Sequence, residues 1–170
     1  YKINLQVSST TSLNRFDQLN DFSNGQPKFE EWYYGPQKRL LLGLGTEHRK
    51  KNFFYDSFNN TISYQQLEES RNSQKYNADL IQRTEDVFVF ANTADFIKKW
   101  DYNTLNYGVD LQHNIVHSRA IEGYGTRYAD GGSDMTTISV YSQYKTPLSK
   151  RINFSVGARY SSILLNADFN

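Results

Sequence analysis

His113 and His117 stand four residues apart, a spacing that on a helix would turn two imidazoles to one face for metal ligation. The residues around them alternate apolar and polar with period 2, which predicts a strand, and on a strand four residues cover roughly 13 Å. Two nitrogens that must each lie about 2.0–2.1 Å from a metal cannot span that distance. His117, nearer the polar segment that follows, is left as a weak single-ligand candidate, and His48 is weaker still. Asp130-Gly131-Gly132-Ser133-Asp134 begins like a calcium loop but lacks the run of ligands ending in Glu, and its residue types suit a turn. Trp32, Tyr33 and Tyr34 could stack on a flat ligand, or serve as interfacial aromatics without one. Glu68, Glu69 and Arg71, at the top of a strand, could pair across a lumen or rim, though charge at a solvated face is the default. There is no cysteine, and no nucleophile elbow, Walker loop, zinc-protease helix or dinucleotide fingerprint occurs. The sequence therefore points away from an enzyme and from a resident metal or cofactor.

The elements that must carry these residues are strands. Alternation runs through residues 2–8, 37–48, 86–94, 104–117, 135–144 and 151–161, with a weaker seventh stretch at 60–70. In the last of the six clear stretches, Ile152, Phe154, Val156, Ala158 and Tyr160 oppose Asn153, Ser155, Gly157 and Arg159. The continuation of the seventh, through Glu68, Glu69 and Arg71, suits strand or helix. Long polar segments at about 9–36, 71–85 and 118–134 alternate with short ones near 49–57, 95–103 and 145–150. The fold class expected is thus all-β, an antiparallel up-and-down meander.

Composition narrows the setting. Aromatic residues make up 15% of the 170, yet the mean hydropathy is −0.72, and no apolar run approaches the length of a transmembrane helix. Net charge is +1, from 19 basic and 18 acidic residues that are scattered along the chain, which argues against nucleic-acid binding. No charged leader followed by an apolar stretch opens the sequence, so an export signal is expected to have been removed or to lie outside this segment. Several of the alternating stretches run 9–14 residues, where soluble strands usually run about 5–6 and a tilted membrane-crossing strand needs about 9–11. A polar lumen and an apolar exterior account for Asn106, Asp110, Gln112 and Arg159 without burying them unpaired. Trp32, Tyr33, Tyr34, Phe53, Phe54, Tyr55, Phe96, Trp100, Tyr102 and Tyr144 then read as aromatic girdles. The rival reading is a soluble β-rich ligand-binding module with an aromatic interior. Because a bacterial outer-membrane barrel has an even strand number of at least 8, about seven strands are expected to be part of a larger one.

A family resemblance follows these motifs in order. Glu31-Trp32-Tyr33-Tyr34-Gly35-Pro36-Gln37-Lys38-Arg39 entering an apolar strand is similar to the barrel of TonB-dependent outer-membrane receptors, especially the haem/haemoglobin-type branch of Bacteroidetes. Further similar stretches are Asn52-Phe53-Phe54-Tyr55-Asp56, Tyr64-Gln65 followed by Glu68-Glu69-Ser70-Arg71, Leu105-Asn106-Tyr107-Gly108-Val109-Asp110, Arg127-Tyr128-Ala129-Asp130-Gly131-Gly132-Ser133 and Val156-Gly157-Ala158-Arg159-Tyr160-Ser161. The resemblance implies that residues 1–170 are a partial receptor barrel, with neither the plug domain nor the TonB box in this segment. It implies energised uptake of a scarce solute, with haem or a ferric chelate as cargo rather than cofactor. The implied partners are outer-membrane lipid, the TonB complex acting through the plug, and a surface lipoprotein. Trp32, Tyr33, Tyr34, Arg127, Tyr128 and Asp130 are the expected loop contacts to cargo, and His117 the candidate haem ligand. A non-transporting outer-membrane scaffold or adhesin is the alternative within the same architecture.

Overall fold

The computed structural model describes residues 1–21, 23–121 and 124–169. Seven principal strands form one antiparallel sheet in the order β1 (Lys2–Ser9), β4 (Lys38–Arg49), β5 (Ser57–Gln74), β6 (Ile81–Trp100), β7 (Asn103–Ala120), β8 (Gly132–Pro147) and β9 (Asn153–Asp168). Two short strands, β2 (Leu13–Asn14) and β3 (Glu31–Tyr34), pair with each other, and β3 also pairs with β5. A single 3-10 turn at Phe16–Gln18 lies between them. The all-β meander is therefore the observed fold, and it is an open sheet rather than a closed one, with β1 and β9 at its margins.

Register turns the alternation into two faces. One cross-strand row reads Ile3, Leu44, Ile62, Asn92, Leu111 and Ile138. The next reads Leu5, Leu42, Tyr64, Phe90, His113, Thr136 and Leu164. Intervening residues such as Asn4, Gln65, Asp110, Gln112, Ser139 and Arg159 occupy the other side, since side chains switch faces at every residue. Among the described residues no second layer packs against the middle of the apolar face. Leu42 is 44% exposed, Val109 41% and Phe154 45%, and Ala129 is the one buried hydrophobic residue among those described. A soluble sandwich would join these side chains in a dry centre, and this sheet does not.

Aromatic rings gather on the apolar face at the short-turn end. Phe58, Phe96 and Tyr107 lie in one row, with centroids 4.8 and 5.1 Å apart in stacked pairs, and Tyr55 is 5.8 Å from both phenylalanines. Trp100 and Tyr144 approach to 6.1 Å beside them. Tyr107 Oη donates to the Phe54 carbonyl at 2.7 Å, which ties the turn to the row. At the opposite end the apolar face closes on Lys38, Glu68, Asp86 and His117, where Lys38 Nζ meets Glu68 at 2.8 Å and Arg119 pairs with Asp86. Beyond that charged row the strands run on as a projecting extension.

Several expectations need correction. Of the two readings open for the run through Glu68, Glu69 and Arg71, strand is the one observed: β6 pairs with it on one side, and on the other β4 pairs with Glu68 and β3 with Arg71. The segment 71–85 is not a long loop, since only residues 75–80 connect β5 to β6. The first long segment contains its own paired strands, β2 and β3, so it extends the sheet instead of leaving it. Of the third, Glu122 and Gly123 lie outside the described residues. Trp32 and Tyr34 do not join an apolar-face girdle: they pair with Ser73 and Arg71, residues of the polar side. Tyr33 alone of the three shares the other side, with Asn72.

Candidate functional site at the projecting end of the polar face

The hairpin that carries Trp32 and Tyr34 is held by a break between β3 and β4. Gly35 sits at φ +87°, a left-handed conformation that L side chains rarely adopt, and a Cβ there would lie 3.1 Å from the Gln37 nitrogen. Its N–H donates to the Ser70 carbonyl at 2.8 Å, and Ser70 Oγ donates back to the Gly35 carbonyl at 3.0 Å. Asn72 Nδ2 reaches Ser70 Oγ at 3.2 Å from an almost fully buried position. With the break fixed in this way, β3 stays in register with β5. Trp32 and Tyr34 meet edge to face at 4.7 Å, and the Arg15 guanidinium stands 5.9 and 5.8 Å from their rings. Arg15 bonds Asp17 at 2.7 Å, and this contact, helped by Gln18, holds the Asp17 carboxyl well below the usual carboxylate range. A hollow of about 280 Å³ opens beside Trp32, lined also by Ser12, Asn14, Phe16 and Leu19.

Across β5, β6 and β7 the same face carries an unusual charge arrangement. Arg71 stands directly opposite Arg83, and Glu69 directly opposite Glu85, with Ser118 next in that row. Like charges placed opposite each other are destabilising. The segment after β7 folds back over this patch. Ser118 Oγ accepts the amides of Arg127 and Tyr128 at 3.3 and 3.4 Å, and Arg83 Nε donates to the Gly125 carbonyl at 2.9 Å. Arg127 stacks over Tyr128 at 5.5 Å. Glu85 is left 5% exposed, with Oε1 unpartnered among the described residues. One step along the strands lies a mostly apolar hollow of about 410 Å³, walled by Val87, Val116, Met135 and Leu165 and roofed by Tyr128.

Glu85 lies beyond the charged row that ends the apolar band, in the projecting part of β6. Burial pushes its carboxyl up, against the pull of Arg127, Arg71 and Arg83. A raised carboxyl binds its proton more tightly in the folded state. Its contribution therefore favours the fold below the unfolded carboxyl range and is lost as pH rises through the folded value. Glu85→Gln is expected to flatten that dependence and to slow hydrogen exchange of the Arg127 and Tyr128 amides near pH 7. Exchange rates that are unchanged, or faster in the variant, would contradict this account.

Of the expected contacts, Arg127 acts on the Glu85 carboxylate, whereas Trp32 and Tyr34 lie beside a separate hollow. Arg71, the cross-strand neighbour of Tyr34, and Arg127 both act electrostatically on Glu85. Asp130 is exposed in the same returning segment. Tyr33 is turned away from the polar face. His117 is turned away as well: it lies 6.0 Å from Phe88 on the apolar side, so it does not face the polar surface that carries Trp32 and Tyr34. His113 is also on the apolar side, with Nδ1 2.8 Å from Thr136 Oγ1, and His48 contacts Tyr55 Oη at 3.1 Å in a turn. Glu85, Arg83, Ser118 and Arg15 were missed by sequence reasoning. Extending the alternation back from Val87 by two and four residues would have placed Glu85 and Arg83 on the polar side.

Comparison with protein-family models, curated proteins and solved structures finds no match.

Proposed function

We propose that the chain forms part of an outer-membrane β-barrel of the TonB-dependent receptor kind, which takes up a scarce solute such as haem or a ferric chelate. The observation that carries this reading is the exposed apolar face, continuous across seven strands and backed by a polar face. In water such a face is a liability of several hundred Å² or more, whereas in a bilayer it is the surface that meets hydrocarbon. The lengths agree, since β5 to β9 run 16–20 residues, enough to cross at about 9–11 residues and still project. Lipid tolerates no open sheet edge, so the reading includes further strands that pair with β1 and β9.

In this reading the polar face lines the lumen, and the projecting end is where cargo is first held. Trp32 and Tyr34 offer flat surfaces, Arg127 and Arg71 offer positive charge, and Tyr128 covers an apolar hollow. Loss of aromatic and arginine anchors at a binding surface commonly costs about 2 kcal/mol or more each. The full-length protein is expected to fractionate with the outer membrane and to migrate heat-modifiably in detergent gels. Trp32→Ala combined with Arg127→Ala is expected to weaken haem or ferric-chelate binding at least tenfold, with migration unchanged. A protein that is monodisperse without detergent would overturn the membrane reading. Unchanged affinity in the double variant would overturn the site.

A further inference from the structure

The balanced net charge conceals an axial separation. Segments 47–57, 97–103 and 145–153, at the short-turn end, carry eight basic residues against three acidic. The described residues of segments 10–39, 68–86 and 118–134, at the projecting end, carry nine basic against eleven acidic. At the turn end Arg49 pairs with Glu47 at 2.5 Å and Lys98 with Asp56 at 3.0 Å. Six cations remain with no ion-pair partner among the described residues: Lys50, Lys51, Lys99, Lys145, Lys150 and Arg151, all of them exposed. They border the stacked ring row of Phe58, Phe96 and Tyr107, and Phe53 and Phe54 stand 88% and 68% exposed in the same turn as Lys50 and Lys51.

We infer that this rim binds anionic phospholipid headgroups of the leaflet at the turn end. Aromatic rings favour the depth of the headgroup boundary, and cations just outside them then stand at phosphate level. Each cation near an anionic membrane surface shifts partitioning about fivefold. Anionic lipid is the fitting occupant because the charge excess and the aromatic row coincide at one end, whereas the opposite end, acidic on balance, ends its apolar band on charged side chains. The inference rests on the membrane reading above and assigns the lipid class that one rim selects.

The test compares insertion of the full-length protein into vesicles of phosphatidylcholine alone and of phosphatidylcholine with phosphatidylglycerol. The wild type is expected to favour the anionic vesicles at least tenfold at low salt, with the preference collapsing at about 1 M salt, where the Debye length is about 3 Å. Lys50→Gln, Lys51→Gln, Lys150→Gln and Arg151→Gln together are expected to remove the preference while insertion into neutral vesicles is retained. The charge-preserving set Lys50→Arg, Lys51→Arg and Lys150→Arg should keep it, which separates charge from folding. Equal insertion of the wild type into both vesicles would overturn the inference and assign the rim to a water-side partner, leaving the barrel reading intact. Insertion into neither would overturn both.

Discussion

Leu111→Arg is expected to abolish assembly in lipid, while Gln112→Arg, one residue further on, is expected to be tolerated. Leu111 lies in the apolar row between Asn92 and Ile138 and is 44% exposed. A guanidinium there would sit against hydrocarbon at a cost of about 2–4 kcal/mol near the bilayer centre, falling toward the interfaces. Gln112 points to the other face, between Ala91 and Thr137, where its Nε2 donates to Asn114 at 2.9 Å. A charge at that wetted position should change stability by no more than about 0.5 kcal/mol. Urea titration in vesicles, followed by heat-modifiable migration, reads both variants. Tolerance of Leu111→Arg combined with collapse of Gln112→Arg would show that the faces are assigned the wrong way round.

Gly108→Ala should also be severe, for a steric reason. On the polar face Tyr141 crosses over Gly108 so that its hydroxyl donates to Asp95. Arg159 stands 5.7 Å from the Tyr141 ring and bonds Asp110 at 2.7 Å, so four strands are tied around the one residue without a side chain. An added Cβ would fall 2.5 Å from the Ala94 carbonyl oxygen, and it would collide with the Tyr141 hydroxyl as well. A ring can rotate away, but a paired backbone carbonyl cannot, so a loss of about 3 kcal/mol is expected, at the upper end for overpacking. Tyr141→Ala removes one of the two clashes and leaves the other. The double variant should therefore be less stable than Tyr141→Ala alone by denaturant midpoint. Equal midpoints would show that the ring was the whole obstacle.

The strands were legible wherever apolar and polar residues alternated, as at Ile3-Asn4-Leu5 or Phe154-Ser155-Val156. They became illegible where both faces are polar. From Arg71 to Gln74, and from Gln82 to Glu85, a strand and a solvated loop have the same hydrophobic pattern, so this part of the projecting extension reads as loop in the sequence. The same ambiguity hid Glu85 and Arg83. The sidedness of Trp32 and Tyr34 depended on the Gly35 break, which shifts the pairing of β3 onto β5 and leaves no trace in residue spacing. The opposition of Arg71 with Arg83 and of Glu69 with Glu85 is a product of register, and register comes from partners that a single strand does not specify.

Only Asp101 and Tyr102 separate β6 from β7, with Asp101 at φ +50°, and eighteen cross-strand partners follow. Closing a small loop costs less chain entropy than closing a large one, so these two strands are expected to pair first. Six residues lie between β5 and β6, seven between β4 and β5, and five between β8 and β9. Of these hairpins only β5–β6 adds a strand directly to the first pair, and β4 then joins along β5. The sheet is then expected to grow outward from its middle, with β1 and β9 the last of these strands to be laid down.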